Sequence, residues 1–124
     1  MKRFINLNEK RDGMPFSDAV LVDGTLYISG RIGFIPGTLT VPDDVLDEVK
    51  YLLEGCAQVL AASGMSMDDL VNVQIFTPDV SLFNAFNSVY KTYFHGELPA
   101  RSFIGSGPLL MGARFEMVAV ARKG

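Results

Sequence analysis

The chain has 124 residues, with 11 Lys and Arg against 14 Asp and Glu and a net charge of -3, long enough for a single domain with its own core and too short for two. No basic cluster stands anywhere in it, which argues against nucleic acid as a partner; no apolar run has the length of a membrane span or a secretory signal, and the lone cysteine, Cys56, allows no internal disulfide and fits a reducing cytoplasm. Hydrophobic residues make up 48%, a high share for a small domain, and this predicts apolar surface buried between copies of the chain.

In chain order, Phe4, Ile5 and Leu7 open a short strand, Gly13 to Pro15 form a loop, and Asp18 to Val22 read as a second strand. Asp23-Gly24 between two strand-like runs signals a hairpin, because a two-residue turn of the matching twist needs positive φ at both positions. The third strand runs from Thr25 to Ile32. Its alternation predicts Leu26, Ile28 and Ile32 on one face and Tyr27, Ser29 and Arg31 on the other, a polar surface suited to a pocket wall or a subunit contact.

A long helix follows. Thr40 heads a Thr-x-x-Asp start with Pro42 in the first turn, and Asp43, Asp44, Asp47 and Glu48 sit where the helix dipole favours negative charge. Val45, Leu46, Val49, Leu52, Leu53, Cys56, Val59 and Leu60 recur at helical steps as a core face, and Ser63-Gly64 ends the helix. Cys56 lies inside that stripe and reads as a buried structural thiol rather than a nucleophile. Leu70 to Phe76 alternate as a half-buried strand, with Val71, Val73 and Ile75 inward and Asn72 and Gln74 outward.

The second helix is predicted from Ser81 to His95, with Phe83, Phe86, Tyr90 and Phe94 on an aromatic inner face and Gly96 as its stop. Asn87 falls in line with these rings, so its amide must find partners in packed structure, either by holding a loop or by touching a ligand. His95 reads as a cation near the negative helix end, and without a second histidine a metal site has no support.

Two charges near the C-terminus stand out. Glu116 is set in the otherwise apolar run Phe115 to Ala121, where an unpartnered carboxylate is costly to bury and either faces water or is kept for a task. Arg101, after Pro99-Ala100, offers a planar fork of donors suited to a small carboxylate. The plain alternative is a pair of ordinary strand charges on a solvated face, paired with Arg114 or Arg122. The element order predicts one α+β domain spanning 1–124, two helices on one face of a largely antiparallel sheet. The opposite face, carrying Tyr27, Val118 and Val120, is left to meet other subunits.

Five blocks together, Pro15-Phe16-Ser17-Asp18-Ala19-Val20, Ile28-Ser29-Gly30-Arg31, Asn87-Ser88-Val89-Tyr90, Pro99-Ala100-Arg101-Ser102 and Phe115-Glu116-Met117, resemble in order and spacing the signature blocks of the Rid family, also called YjgF, the reactive intermediate deaminases. The resemblance covers nearly the whole chain. It implies a chorismate-mutase-like domain in a homotrimer, with the sheets facing inward as a barrel and ligand clefts between neighbouring subunits. It also implies hydrolysis of 2-aminoacrylate and 2-iminobutanoate type enamines and imines to 2-keto acids and ammonia, without a cofactor.

Carried over by position, the resemblance gives Arg101 the substrate carboxylate, helped by the backbone amide of Phe103, and gives Glu116 the attacking water. Ser29 and Gly30 line the cleft and Asn87 lies nearby. Three positions depart from the family pattern, with Phe16 in place of tyrosine, Arg31 where glutamine is common, and Phe103 where cysteine or another small residue is frequent. Arg31 has several readings: a second carboxylate anchor, a cation that weakens Glu116 as a base, or a partner for a neighbouring subunit's acid inside the trimer. Two other functions stay open, a small-carboxylate-binding trimer without turnover and a specialised aminohydrolase of the 2-aminomuconate deaminase type. A ribonuclease or translation-inhibitor role finds no basic surface to support it.

Overall fold

Residues 1–7 and 13–123 are described by the structure, a computed structural model. Strands β1 (Lys2–Ile5), β2 (Ala19–Val22) and β3 (Thr25–Ile32) precede helix α1 (Val45–Ala62), then come β4 (Leu70–Thr77), helix α2 (Phe83–Tyr90), β5 (Ala100–Gly105) and β6 (Glu116–Arg122). The strands form one sheet in the order β1-β2-β3-β6-β4-β5, antiparallel throughout except for the β4–β5 pair. That one parallel pair is joined through α2, as a parallel connection requires a crossover. The α+β class, the largely antiparallel sheet and the two helices follow the sequence expectation.

The β2–β3 hairpin closes on Asp23 (φ 48°) and Gly24 (φ 88°), the doubly positive turn that the Asp-Gly pair signals. Helix α1 starts later than the sequence suggests. Its cap is Asp44, whose carboxylate accepts from the amides of Leu46 (2.7 Å) and Asp47 (3.1 Å), whereas Thr40 belongs to a preceding turn in which its amide donates to Thr38 Oγ1. Two first-turn amides satisfied by one carboxylate outweigh a threonine placed beyond their reach. The helix ends at Ser63-Gly64, with Gly64 at φ 73°. Leu46 is exposed rather than in the core, and Glu48 is fully buried instead. Helix α2 is shorter than Ser81 to His95, because single 3₁₀ turns, Val80–Leu82 and Lys91–Tyr93, flank its α-helical part.

Between the helices and the sheet lies the core, with Leu26, Leu52, Val73, Ile75, Phe86 and Phe115 among its fully buried side chains. Along β6, buried Met117, Ala119 and Ala121 alternate with half-buried Glu116, Val118 and Val120, which define the open face. On β4, Leu70, Val73 and Ile75 are buried while Val71 is exposed, contrary to the expected alternation. A register shift between Leu70 and Asn72 breaks the period there. Phe4 and Tyr27, 60% and 53% exposed, add aromatic surface to the open face, which no helix of the described residues covers.

The largest correction concerns β3. Ile28 pairs with Ala119 but Arg31 pairs with Met117, so three steps on β3 oppose two on β6 and a bulge falls at Ser29-Gly30. One extra residue exchanges the faces beyond it. Arg31 therefore lies on the helix side, in register with buried Met117, and Ile32 lies on the open face beside Glu116.

Candidate active site

The residues singled out from the sequence fall into two groups on opposite faces of the sheet. On the open face, Glu116 starts β6 directly opposite Ile32 and Phe76. Its carboxylate lies across Gly30, at the bulge of β3, in the space where a side chain at that position would begin. Among the described residues the Glu116 carboxylate has no ion-pair or hydrogen-bond partner; in particular Arg114 and Arg122 turn elsewhere. Ser29 ties this corner to the preceding loop, its hydroxyl donating to the Ser17 carbonyl (2.6 Å) and its amide to the Asp18 carbonyl (3.0 Å). Phe16, next to Ser17, is 43% exposed.

On the helix side, Arg101 of β5 aligns with buried Val73 of β4. Its Nη1 donates to Asn87 Oδ1 of α2 at 2.7 Å. Its guanidinium carbon stands 4.8 Å from the Tyr90 ring centroid, 5.5 Å from Phe83 and 5.7 Å from Phe103. Phe103 packs into the same layer, with ring centroids 5.2 Å from Phe83 and 5.8 Å from Phe86. Its bulk is thus taken up by the helix layer. No carboxylate pairs with Arg101 among the described residues, so most of its five donors are uncommitted. Burial pushes the Tyr90 hydroxyl up to about 12, with the Arg101 charge opposing.

The two groups are well separated within one chain. Arg101 aligns with Val73, Val73 with Ala119, and Glu116 lies three residues along β6 from there. Two strand spacings and three residue rises put roughly 14 Å between their Cα atoms, on opposite faces. One small ligand does not reach both side chains of a single copy.

Arg31 belongs to neither group. It lies beneath α1, where a Cβ on Gly55 would come within 3.1 Å of its Nε and Nη2, and its Nη1 faces Asp18 Oδ1 at 3.5 Å. Its acid is therefore in its own chain rather than in a neighbour, because the bulge turns it inward. Asp18 is buried and accepts from the Leu7 amide at 2.7 Å, so the pair fastens the loop ahead of β2. Cys56 is close by and fully buried; desolvation pushes its thiol up to about 12, with Arg31 opposing. His95 turns to Asp68 rather than to the helix end, its amide donating at 2.9 Å and Nδ1 lying at 3.2 Å. Those contacts, the amide first, hold the Asp68 carboxyl below its ordinary range.

One polar centre was not visible from composition. Fully buried Glu48 accepts from Arg114 Nε (2.7 Å), the Arg114 amide (2.8 Å) and the Phe115 amide (3.3 Å), while Arg114 Nη2 donates to the Pro42 carbonyl at 2.6 Å. This clamp fixes the chain immediately before Glu116. A signal for it exists in the sequence: Glu48 lies four residues before Leu52 and eight before Cys56, inside the apolar stripe.

Comparison with known proteins finds relatives by sequence and by fold. The family model described as Endoribonuclease L-PSP matches residues 9–123. A mouse protein named 2-iminobutanoate/2-iminopropanoate deaminase is 39% identical over 111 residues, covering 89% of this chain and 82% of that one. Among solved structures, a putative endoribonuclease from Thermotoga maritima superposes with a TM-score of 0.91 at 33% identity, covering 100% of this chain and 99% of that one. A Rid-family protein of unknown function from Yersinia pestis also gives 0.91, at 30% identity, covering 99% and 100%. By sequence over nearly its whole length and by fold, the chain belongs to the Rid (YjgF) family.

Proposed function

We propose that the protein is a cofactor-independent deaminase that hydrolyses 2-imino and 2-enamino acids of the 2-iminobutanoate and 2-aminoacrylate type to 2-keto acids and ammonia. Its site lies between neighbouring copies in a homotrimer, each cleft taking Arg101 from one copy and Glu116 from the next. The observation that carries this reading is a pair of groups uncommitted among the described residues: a guanidinium without an acid and a carboxylate without a cation, on opposite faces of one sheet. Neither is explained by the fold of a single chain, and each is completed by the other's ligand contact across a symmetric interface. The apolar open face supplies surface for that interface. The name of the mouse relative supports the substrate class.

The chemistry needs little else. Arg101 clamps the substrate carboxylate with two parallel hydrogen bonds, assisted by the Phe103 amide. Glu116 takes a proton from water as the water oxygen bonds to the imine carbon, and passes it to the nitrogen. It then takes the hydroxyl proton of the carbinolamine and delivers it to the departing nitrogen as the C–N bond breaks, leaving keto acid and ammonia. Positioning together with a base worth roughly 10²- to 10⁴-fold suffices for an already electrophilic carbon. Since Arg31 turns to Asp18 beneath α1, Arg101 is the one carboxylate anchor left among the candidate site residues described, which favours monocarboxylates over an unsaturated dicarboxylate of the aminomuconate kind.

The test is the rate of 2-keto acid release from imines made in situ by an amino-acid oxidase, with semicarbazide trapping what survives. Acceleration over buffer is expected for 2-iminobutanoate, abolished in Arg101→Ala. Glu116→Ala is expected to lose turnover while still binding 2-oxobutanoate. A wild-type protein that binds the keto acid yet accelerates no imine is a binding module, and the deaminase reading fails.

A further inference from the structure

An arginine at a carboxylate site is usually held by an acid, which also blunts its charge. Arg101 is held differently. Three rings, Tyr90, Phe83 and Phe103, surround its guanidinium carbon at 4.8, 5.5 and 5.7 Å, and among the described residues its one side-chain hydrogen bond runs to a neutral amide, Asn87. Tyr90 is the nearest of the three and is 4% exposed, while Phe83 is 44% exposed. The Tyr90 hydroxyl is buried with no hydrogen-bond partner among the described residues. No bond among the described residues runs through that hydroxyl to fix the ring. What Tyr90 presents to Arg101 is its π face.

We propose that Tyr90 is a positioning residue for Arg101: with Phe83 and Phe103 it forms an aromatic seat that replaces an acidic counterion. The seat orients the guanidinium while leaving its full charge for a monocarboxylate ligand. A cation over a ring face gains energy from the ring quadrupole without any proton or charge being transferred to it. The seat also lowers the entropy lost when the long arginine side chain is fixed by ligand. The inference rests on the reading of Arg101 as the carboxylate anchor, and concerns affinity rather than chemistry.

The experiment measures 2-oxobutanoate binding by calorimetry and KM and kcat for 2-iminobutanoate in wild type, Tyr90→Phe, Tyr90→Leu and Phe83→Leu. Tyr90→Leu is expected to raise both Kd and KM about five- to thirty-fold, the loss of one well-desolvated cation–π contact, with kcat within about two-fold. Tyr90→Phe is expected to restore wild-type Kd, since it keeps the ring and removes only an unpartnered hydroxyl. Phe83→Leu, at an exposed ring whose loss spares the core, is expected to raise Kd about two- to five-fold and keeps the test open if Tyr90→Leu does not fold. Wild-type Kd in both leucine variants, or a fall in kcat at unchanged KM, overturns the proposal. A wild type that binds 2-oxobutanoate without turning over imine sinks the deaminase reading alone. One that binds no keto acid sinks both.

Discussion

Gly30 and Glu116 share one place in the molecule: a Cβ built on Gly30 would overlap the Glu116 Oε2 and lie 3.0 Å from its Cδ. The bulge in β3 brings that glycine beside the start of β6, so the carboxylate lies flat on the open face instead of standing away from it. Residue 30 thereby decides where the proposed base sits.

Gly30→Ala is expected to displace the Glu116 carboxylate with little cost to the fold, because the displaced atoms are the far end of a flexible side chain. Turnover should fall by about 10²-fold, the lower range of what a positioned base contributes, with Tm changed by only a few degrees. Steady-state kinetics and a thermal melt check both halves. Wild-type kcat in this variant would mean that the carboxylate works from another position or not at all.

The Glu48–Arg114 clamp gives a stability prediction. Glu48 is fully buried and satisfies one guanidinium nitrogen and two backbone amides. Glu48→Gln removes the charge but not the volume, leaving Arg114 without its counterion. A loss of about 3–5 kcal/mol in urea unfolding is expected from breaking a buried pair on one side. A loss below about 1 kcal/mol would place the pair in the class of exposed ion pairs.

Cys56 carries a pH prediction. Its thiol is held neutral in the folded chain, pushed from 9.0 up to about 12 by burial. Above pH 9 the unfolded thiol loses its proton while the folded one keeps it, so the unfolded state binds fewer protons and stability falls as pH rises from 9 towards 12. Replacing Cys56 by Ala should flatten that part of the stability curve, at the separate cost of a small cavity. A thiol reagent at pH 8 should label none of the native protein and all of the unfolded protein. Rapid labelling of the native form would contradict the burial.

Much of this was legible in the sequence because the signals were local. The Asp-Gly hairpin, the apolar stripe of α1 and the alternation of β6 each follow from a period or a turn requirement; Arg101, Asn87 and Glu116 stand out by their own chemistry, and the resemblance adds their roles. What was not legible depended on register. A bulge of one residue at Ser29-Gly30 reverses every face assignment after it, and so turned Arg31 from a cleft candidate into the partner of Asp18. The same applies to Val71 on β4. In the sequence Glu48 reads as a helix-dipole charge, because its burial is decided by Arg114, 66 residues away. The separation of Arg101 from Glu116 is a property of the sheet order, which no spacing along the chain reveals.

The most direct test of a site shared between copies is complementation. Arg101→Ala and Glu116→Ala proteins, each inactive alone, are unfolded, mixed in equal amounts and refolded together, and 2-keto acid release from 2-iminobutanoate is measured against wild type treated alike. In randomly mixed symmetric trimers about a quarter of the clefts regain both groups, so the account predicts about a quarter of wild-type activity. Activity no higher than that of the separate variants, with mixed trimers present, would contradict a site built from Arg101 of one copy and Glu116 of the next.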